Sequence, residues 1–206
     1  MKALRITSWT LFILFAIAIG VYPAFYFLSD VLAENGLLSQ KTAAVLEMDL
    51  WRLMFNLHII FGGLALLLGW SQFMARFRAK NLSLHRWLGV IYLVAVILSG
   101  IAGLYLSFYA EGGIVAKLGF GGLALAWLYT SSKAYITIKK QDVNSHRNWM
   151  IRSYALTFAA VTLRIWLPLM QYGIGMDFIT AYMIVAWLCW VPNLAWAEWK
   201  VRRLAG

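Results

Sequence analysis

The sequence predicts an all-α, polytopic membrane protein of six transmembrane helices, with a central four-helix bundle made from two repeated hairpins, helices 2–3 and 4–5. Three observations predict it. The composition is 63% hydrophobic and only 13% charged, with a mean hydropathy of +0.73, whereas soluble chains run nearer half apolar and a quarter charged. Apolar runs long enough to cross a bilayer, at roughly 20 residues per crossing, recur six times along 206 residues. A hexapeptide also recurs, each time with a basic loop and a His-Arg pair downstream of it. The single cysteine, Cys189, excludes an intramolecular disulfide, a CxxC redox pair and a thiolate zinc site.

The first run covers 7–29. Lys2 and Arg5 before it resemble the start of a signal peptide, but the apolar stretch continues through Phe25-Tyr26-Phe27. A retained helix is expected. The segment from Asp30 to Leu50 is the one long loop, with a short surface helix expected at Thr42–Leu46. The second run, 51–74, is linked by Arg76–His85 to the third, 86–108; Glu111-Gly112-Gly113 turns into the fourth, 114–138. Lys139–Arg147 leads to the fifth, 147–171, where Pro168 cannot donate to the carbonyl of Arg164 and a bend is expected. Gly173–Asp177 turns into the sixth, 178–199. The reading is a single membrane domain over 1–206, with a repeated core at 50–172 and flanking helices within 1–30 and 177–206.

Charge sets the expected orientation. Lys2, Arg5, Arg76, Arg78, Lys80, Arg86, Lys139, Lys140, Arg147, Lys200, Arg202 and Arg203 all fall on one side. Only Lys41, Arg52 and Lys117 lie near the other, where Asp30, Glu34, Glu47, Asp49, Glu111 and Asp177 collect. Positive loops stay cytoplasmic, so both termini are expected there. The net charge of +10 is thus topology, split among short turns, and not a nucleic-acid footprint.

Phe61–Leu66 and Phe120–Leu125 are both FGGLAL. After each copy come a basic loop and a His-Arg pair, His85-Arg86 and His146-Arg147, with Trp87 or Trp149 close by. Two copies of one hairpin, related by an axis along the membrane normal, account for this. Their glycines, and Gly100 and Gly103 on the third helix, suit close helix packing.

Few polar residues carry chemistry. His58 lies seven residues from Trp51, and Arg164 seven from Gln171, so both should sit roughly 10 Å inside. Arg52 and Asn56 are one or two turns above His58, so Arg52, Asn56, His58 and Arg164 are read as an outer ligand pocket, electropositive and suited to a quinone head group or an anionic lipid. The competing reading is snorkelling for Arg52 and a structural interhelix bond for His58. His85 and His146 sit at equivalent depth on the third and fifth helices, where two imidazoles can hold a b-type haem. The alternative makes the His-Arg pairs headgroup anchors, with Arg86, Arg147 and Arg152 contacting lipid. No metal site and no Ser-His-Asp set is evident.

His58-x3-Gly62-Gly63, Gly69-x2-Gln72-Phe73, HRWLGVIY (85–92) and HRNWMIRSYALTFAAVTLR (146–164) with Leu167-Pro168 resemble a family of bacterial multi-pass membrane proteins of unknown function. The resemblance covers about 50–172. It implies a bacterial cytoplasmic (inner) membrane and brings no activity with it. A looser likeness is to the six-helix transmembrane cytochromes b, which carry two haems on four histidines in their four central helices. Here Lys117 stands where the repeat would match His58, so at most one bis-histidine haem is implied. The expected function is membrane redox or electron transfer through one b haem or a quinone-like ligand. The rival is a non-enzymatic transport, lipid-binding or complex-assembly protein with partner membrane subunits.

Overall fold

The computed structural model describes residues 2–28 and 37–205, and all regular structure among them is helical. Asp30 and Glu34 of the expected outer loop lie outside the described residues. Six stretches are long and apolar enough to cross a membrane: Trp9–Phe27, Asp49–Phe73, Leu82–Ser107, Gly113–Lys139, Val143–Gly173 and Phe178–Leu204. The helices, in chain order, are α1 (Lys2–Leu28), α2 (Ala43–Leu46), α3 (Asp49–Gly69), α4 (Ala75–Lys80), α5 (Leu82–Ser107), α6 (Gly113–Lys139), α7 (Val143–Thr157), α8 (Ala159–Pro168), α9 (Phe178–Leu188) and α10 (Val191–Ala205).

The third and fifth spans begin about a turn earlier than their apolar runs, because a helix continues past its hydrocarbon-facing part into polar turns. Asp142 shows how: its carboxylate accepts the backbone N–H of Ser145 and caps α7. The link between the second and third spans, expected as loop, is itself the helix α4. Its Ala, Arg and Lys are good helix formers, and Phe77 tucks inward while Arg76, Arg78 and Lys80 stay exposed. The surface helix expected at 42–46 is α2.

Packing closes a ring of four. α3 lies along α5, α5 along α6 and α6 along α7, while α7 touches α3. α1 covers α3 and touches α8; α9 packs on α6 and α8, and α10 on α7. Glycines allow these approaches. A Cβ on Gly63 would stand 2.6 Å from the Gly20 carbonyl oxygen on α1, and one on Gly119 would stand 2.8 Å from the Ala186 carbonyl oxygen on α9. In both FGGLAL copies the second glycine faces a flanking helix: Gly63 faces α1, and Gly122 faces Trp190 of the sixth span. At the turn between the third and fourth spans, Gly112 holds φ +83° and Gly113 φ +66°, a conformation that favours residues without a Cβ.

The fifth and sixth spans are broken, and not only at Pro168. α7 ends at Thr157, whose hydroxyl bonds back to the Ser153 carbonyl at 3.0 Å, a bond that bends helices. After Pro168 the chain widens into a π turn, Leu169–Gly173. The sixth span breaks before Pro192, between α9 and α10. The two breaks are stitched together: the Cys189 carbonyl accepts from the Thr162 hydroxyl and, at 3.0 Å, from the Asn193 amide, which also donates to the Ala155 carbonyl at 3.2 Å.

Candidate functional site

Mid-bundle polarity is concentrated in a buried set of hydroxyls that sequence reading passes over. The Tyr92 hydroxyl bonds Ser153 Oγ at 2.7 Å and Thr157 Oγ1 at 2.8 Å. Ser131 bonds Ser153 at 2.7 Å, and the Trp127 indole N–H donates to Thr157 at 2.9 Å. These residues join α5, α6 and α7. Tyr154 adds α3 by donating to the Leu66 carbonyl at 2.9 Å, just where α3 tightens into the 3₁₀ turn Trp70–Phe73. Its ring lies where Gly69 has no side chain: a Cβ there would be 2.2 Å from Tyr154 Cε2. The signal was present, since Ser153 and Thr157 are four apart on one helix face.

Of the residues expected in the outer pocket, Arg52 and Asn56 line one cavity, while His58 and Arg164 each hydrogen-bond a backbone carbonyl. His58 is tied to α5. Its Nδ1 lies 3.0 Å from the Ser99 carbonyl oxygen, the Ser99 hydroxyl donates to the His58 carbonyl at 2.9 Å, and the ring lies against Gly103. Arg164 faces the first span instead. Its Nη1 donates to the Ala160 carbonyl at 3.0 Å and its guanidinium lies 4.9 Å from the Tyr22 ring centroid. Neither the Arg164 carbonyl beside Pro168 nor a His58 nitrogen is the acceptor.

Arg52 and Asn56 do share a cavity, of about 290 Å³, with Tyr26, Phe27, Leu38, Leu46, Trp51 and Phe55. Trp51 and Phe55 stack at 5.2 Å, and Tyr26 meets Phe55 edge-on at 5.5 Å. Arg52 pairs with Asp49 in the open.

The basic end holds the histidine pair. His85 and His146 each precede a bonded partner, Tyr92 or Ser153, by seven residues. About two helical turns are therefore traversed in each case. The Tyr92–Ser153 bond also joins positions that the repeat makes equivalent. His146 Nδ1 lies 2.8 Å from the Ala134 carbonyl oxygen. A carbonyl only accepts, so Nδ1 carries a proton here, and it is in the neutral ring that Nε2 keeps its lone pair. His85 Nδ1, Gln72 Oε1 and Trp70 Nε1 are buried with no partner among the described residues. Gln72 reaches α5 beside Gly89, one turn from His85.

The three arginines expected at headgroups divide. Arg86 and Arg147 are exposed beside the histidines. Arg152 is committed to protein: its Nε and Nη2 donate to Glu198 at 2.6 and 2.9 Å, and it stacks on Trp149 at 4.6 Å. It fastens α7 to α10.

Six apolar spans, four of them closed into a ring and two flanking it, define a polytopic membrane protein. A family model described as "Predicted membrane protein (DUF2306)" matches residues 55–201, and the chain belongs to that family. No curated protein and no solved structure matches it.

Proposed function

We propose that the chain is a redox protein of the bacterial cytoplasmic membrane, with both termini cytoplasmic, and that one b-type haem is held by His85 and His146. The observation that carries this reading is the hydrogen bond from His146 Nδ1–H to the Ala134 carbonyl. Ligating histidines generally anchor their second nitrogen in this way, which fixes the ring and leaves the other nitrogen free for metal. His85, at the corresponding position of the repeat, supplies the second imidazole, and its Nδ1 has no partner among the described residues. Two imidazoles are the donor set that a bis-imidazole porphyrin iron takes. When bound, the haem would supply reversible one-electron transfer.

The chain's own residues account for the rest. Ala134 orients the His146 ring. Arg86 and Arg147, adjacent to the two ligands in sequence and exposed, are placed to meet carboxylates at the membrane surface. On the mid-bundle side, the Tyr92, Ser153 and Thr157 hydroxyls bond one another and offer no proton acceptor of carboxylate type.

The test is an absorption spectrum of the purified chain, expressed with haem supplied, before and after dithionite. The expected result is a Soret band with reduced alpha and beta bands. His85→Ala and His146→Ala should each abolish them, while His58→Ala, whose ring is held by Ser99, should leave them. A colourless preparation would overturn the proposal and leave the exposed arginines as anchors for anionic lipid.

A further inference from the structure

Two arginines at the basic end of the bundle lie on tryptophan rings, and only one of them has a carboxylate partner among the described residues. Arg152 of α7 stacks on Trp149 at 4.6 Å, and its Nε and Nη2 donate to the two Glu198 oxygens at 2.6 and 2.9 Å. Arg203 of α10 lies 4.1 Å from the Trp199 ring centroid, and no carboxylate among the described residues pairs with it. A stack occupies the face of a guanidinium and leaves its edge of N–H donors free. Arg152 shows what that edge takes up: a pair of anionic oxygens.

The pitch of α10 explains the difference. Leu194, Ala197 and Val201 turn toward the bundle. Trp196, Trp199, Lys200 and Arg203, spaced by three and four, share the opposite face, and all four are exposed. Glu198 stands outside that face and is taken by Arg152. Arg202, four residues after Glu198, stands on its side of the helix. The outward face therefore carries two cations, two indoles and no acid.

We propose that this face of α10 binds one anionic phospholipid, with its phosphate between Lys200 and Arg203 and its glycerol and upper acyl chain against Trp196 and Trp199. Phosphate oxygens match the guanidinium fork as a carboxylate does. Stacking on Trp199 orients that fork beforehand, so less freedom is lost on binding. Trp196 lies one turn before Lys200, on the side of the apolar span, so a ligand that meets all four residues has a phosphate and an apolar part. A zwitterionic lipid brings its own cation toward Lys200 and Arg203 and is disfavoured there. The proposal does not depend on the haem reading, whose Arg86 and Arg147 lie on α5 and α7.

The experiment is native mass spectrometry of the full chain, prepared without added haem and titrated in detergent with dioleoyl phosphatidylglycerol or dioleoyl phosphatidylcholine. The first phosphatidylglycerol should bind saturably, about tenfold more tightly than phosphatidylcholine. Arg203→Gln should weaken that first site about tenfold, and Lys200→Gln about threefold. Trp199→Leu keeps both charges and should still weaken it about threefold, because the fork is no longer held. Arg86→Gln combined with Arg147→Gln should leave the first site unchanged. Thermal melts report folding, and Lys200→Gln decides the matter if Arg203→Gln does not fold. Equal affinity for the two lipids would overturn the proposal, as would a first site that neither Arg203→Gln nor Lys200→Gln weakens. So would a loss as large in the Arg86 and Arg147 double variant, which marks diffuse attraction to the basic end. Displacement of the lipid by inorganic phosphate would reduce the site to a phosphate site and overturn it too.

Discussion

In the middle of the bundle, Tyr92, Trp127, Ser131, Ser153 and Thr157 bond one another. At the ends, Trp51 Nε1 on one side and Trp70 Nε1, Gln72 Oε1 and His85 Nδ1 on the other are buried without a partner among the described residues. The same solvent argument applies to both regions. An unpaired polar atom in hydrocarbon costs several kcal/mol by transfer estimates, of order 2–7, and the central hydroxyls, all buried, meet that cost by bonding one another. The ends lie nearer the polar turns between spans. Polar atoms in the centre hold helices together, and those named at the ends have no partner among the described residues.

The largest expected effect tests the packing on which both regions rest. Gly63→Ala places a methyl 2.6 Å from the Gly20 backbone oxygen. A backbone atom cannot step aside as a side chain can, so α1 must move. A loss of about 1–3 kcal/mol is expected, read as a lowered midpoint in thermal or detergent unfolding.

A smaller effect separates centre from ends. Tyr92→Phe removes two bonds from the hydroxyl set and should cost about 0.6–1.5 kcal/mol. Gln72→Leu removes an oxygen that has no partner among the described residues and should leave stability unchanged or raise it. Equal losses in the two variants, measured side by side, would show that Gln72 is bonded within the protein and would erase the contrast.

The smallest effect concerns the surface. Hydrogen bonds from Ser145 hold the Asp142 carboxyl below the usual carboxylate range, and those from Thr180 do the same for Asp177. A depressed folded value means the stabilisation is fully present above the unfolded value, near pH 4, and fades as pH falls through the folded value. Asp142→Asn should therefore flatten the acid side of a melting-temperature profile slightly and leave pH 7 almost untouched.

Part of this architecture is legible in the chain alone. Six apolar runs, the surface helix at 43–46 and the irregular fifth span come from hydropathy, propensity and Pro168. The repeat places His85 and His146 at corresponding positions, seven residues before Tyr92 and Ser153. Arg52 and Asn56 share a cavity, but depth along a helix says nothing about azimuth, and so His58 turns to Ser99 while Arg164 turns to Tyr22. The pairing of Arg152 with Glu198 is illegible for the same reason, because Glu198 lies 46 residues away on another helix.

The sequence by itself determined what a bilayer reads: how many helices cross, where they end and which end is basic. Those properties depend on local composition, since hydrocarbon solvates each span independently of its neighbours. Only the tertiary structure decided which polar atoms meet. Hydrogen bonds are short and directional, so the bond that takes up Arg164, the pairing of Tyr92 with Ser153 and the unmet N–H of Trp51 depend on how each helix is rotated about its axis. That rotation is set by packing at glycines such as Gly63 and Gly103, where one methyl group decides which faces touch.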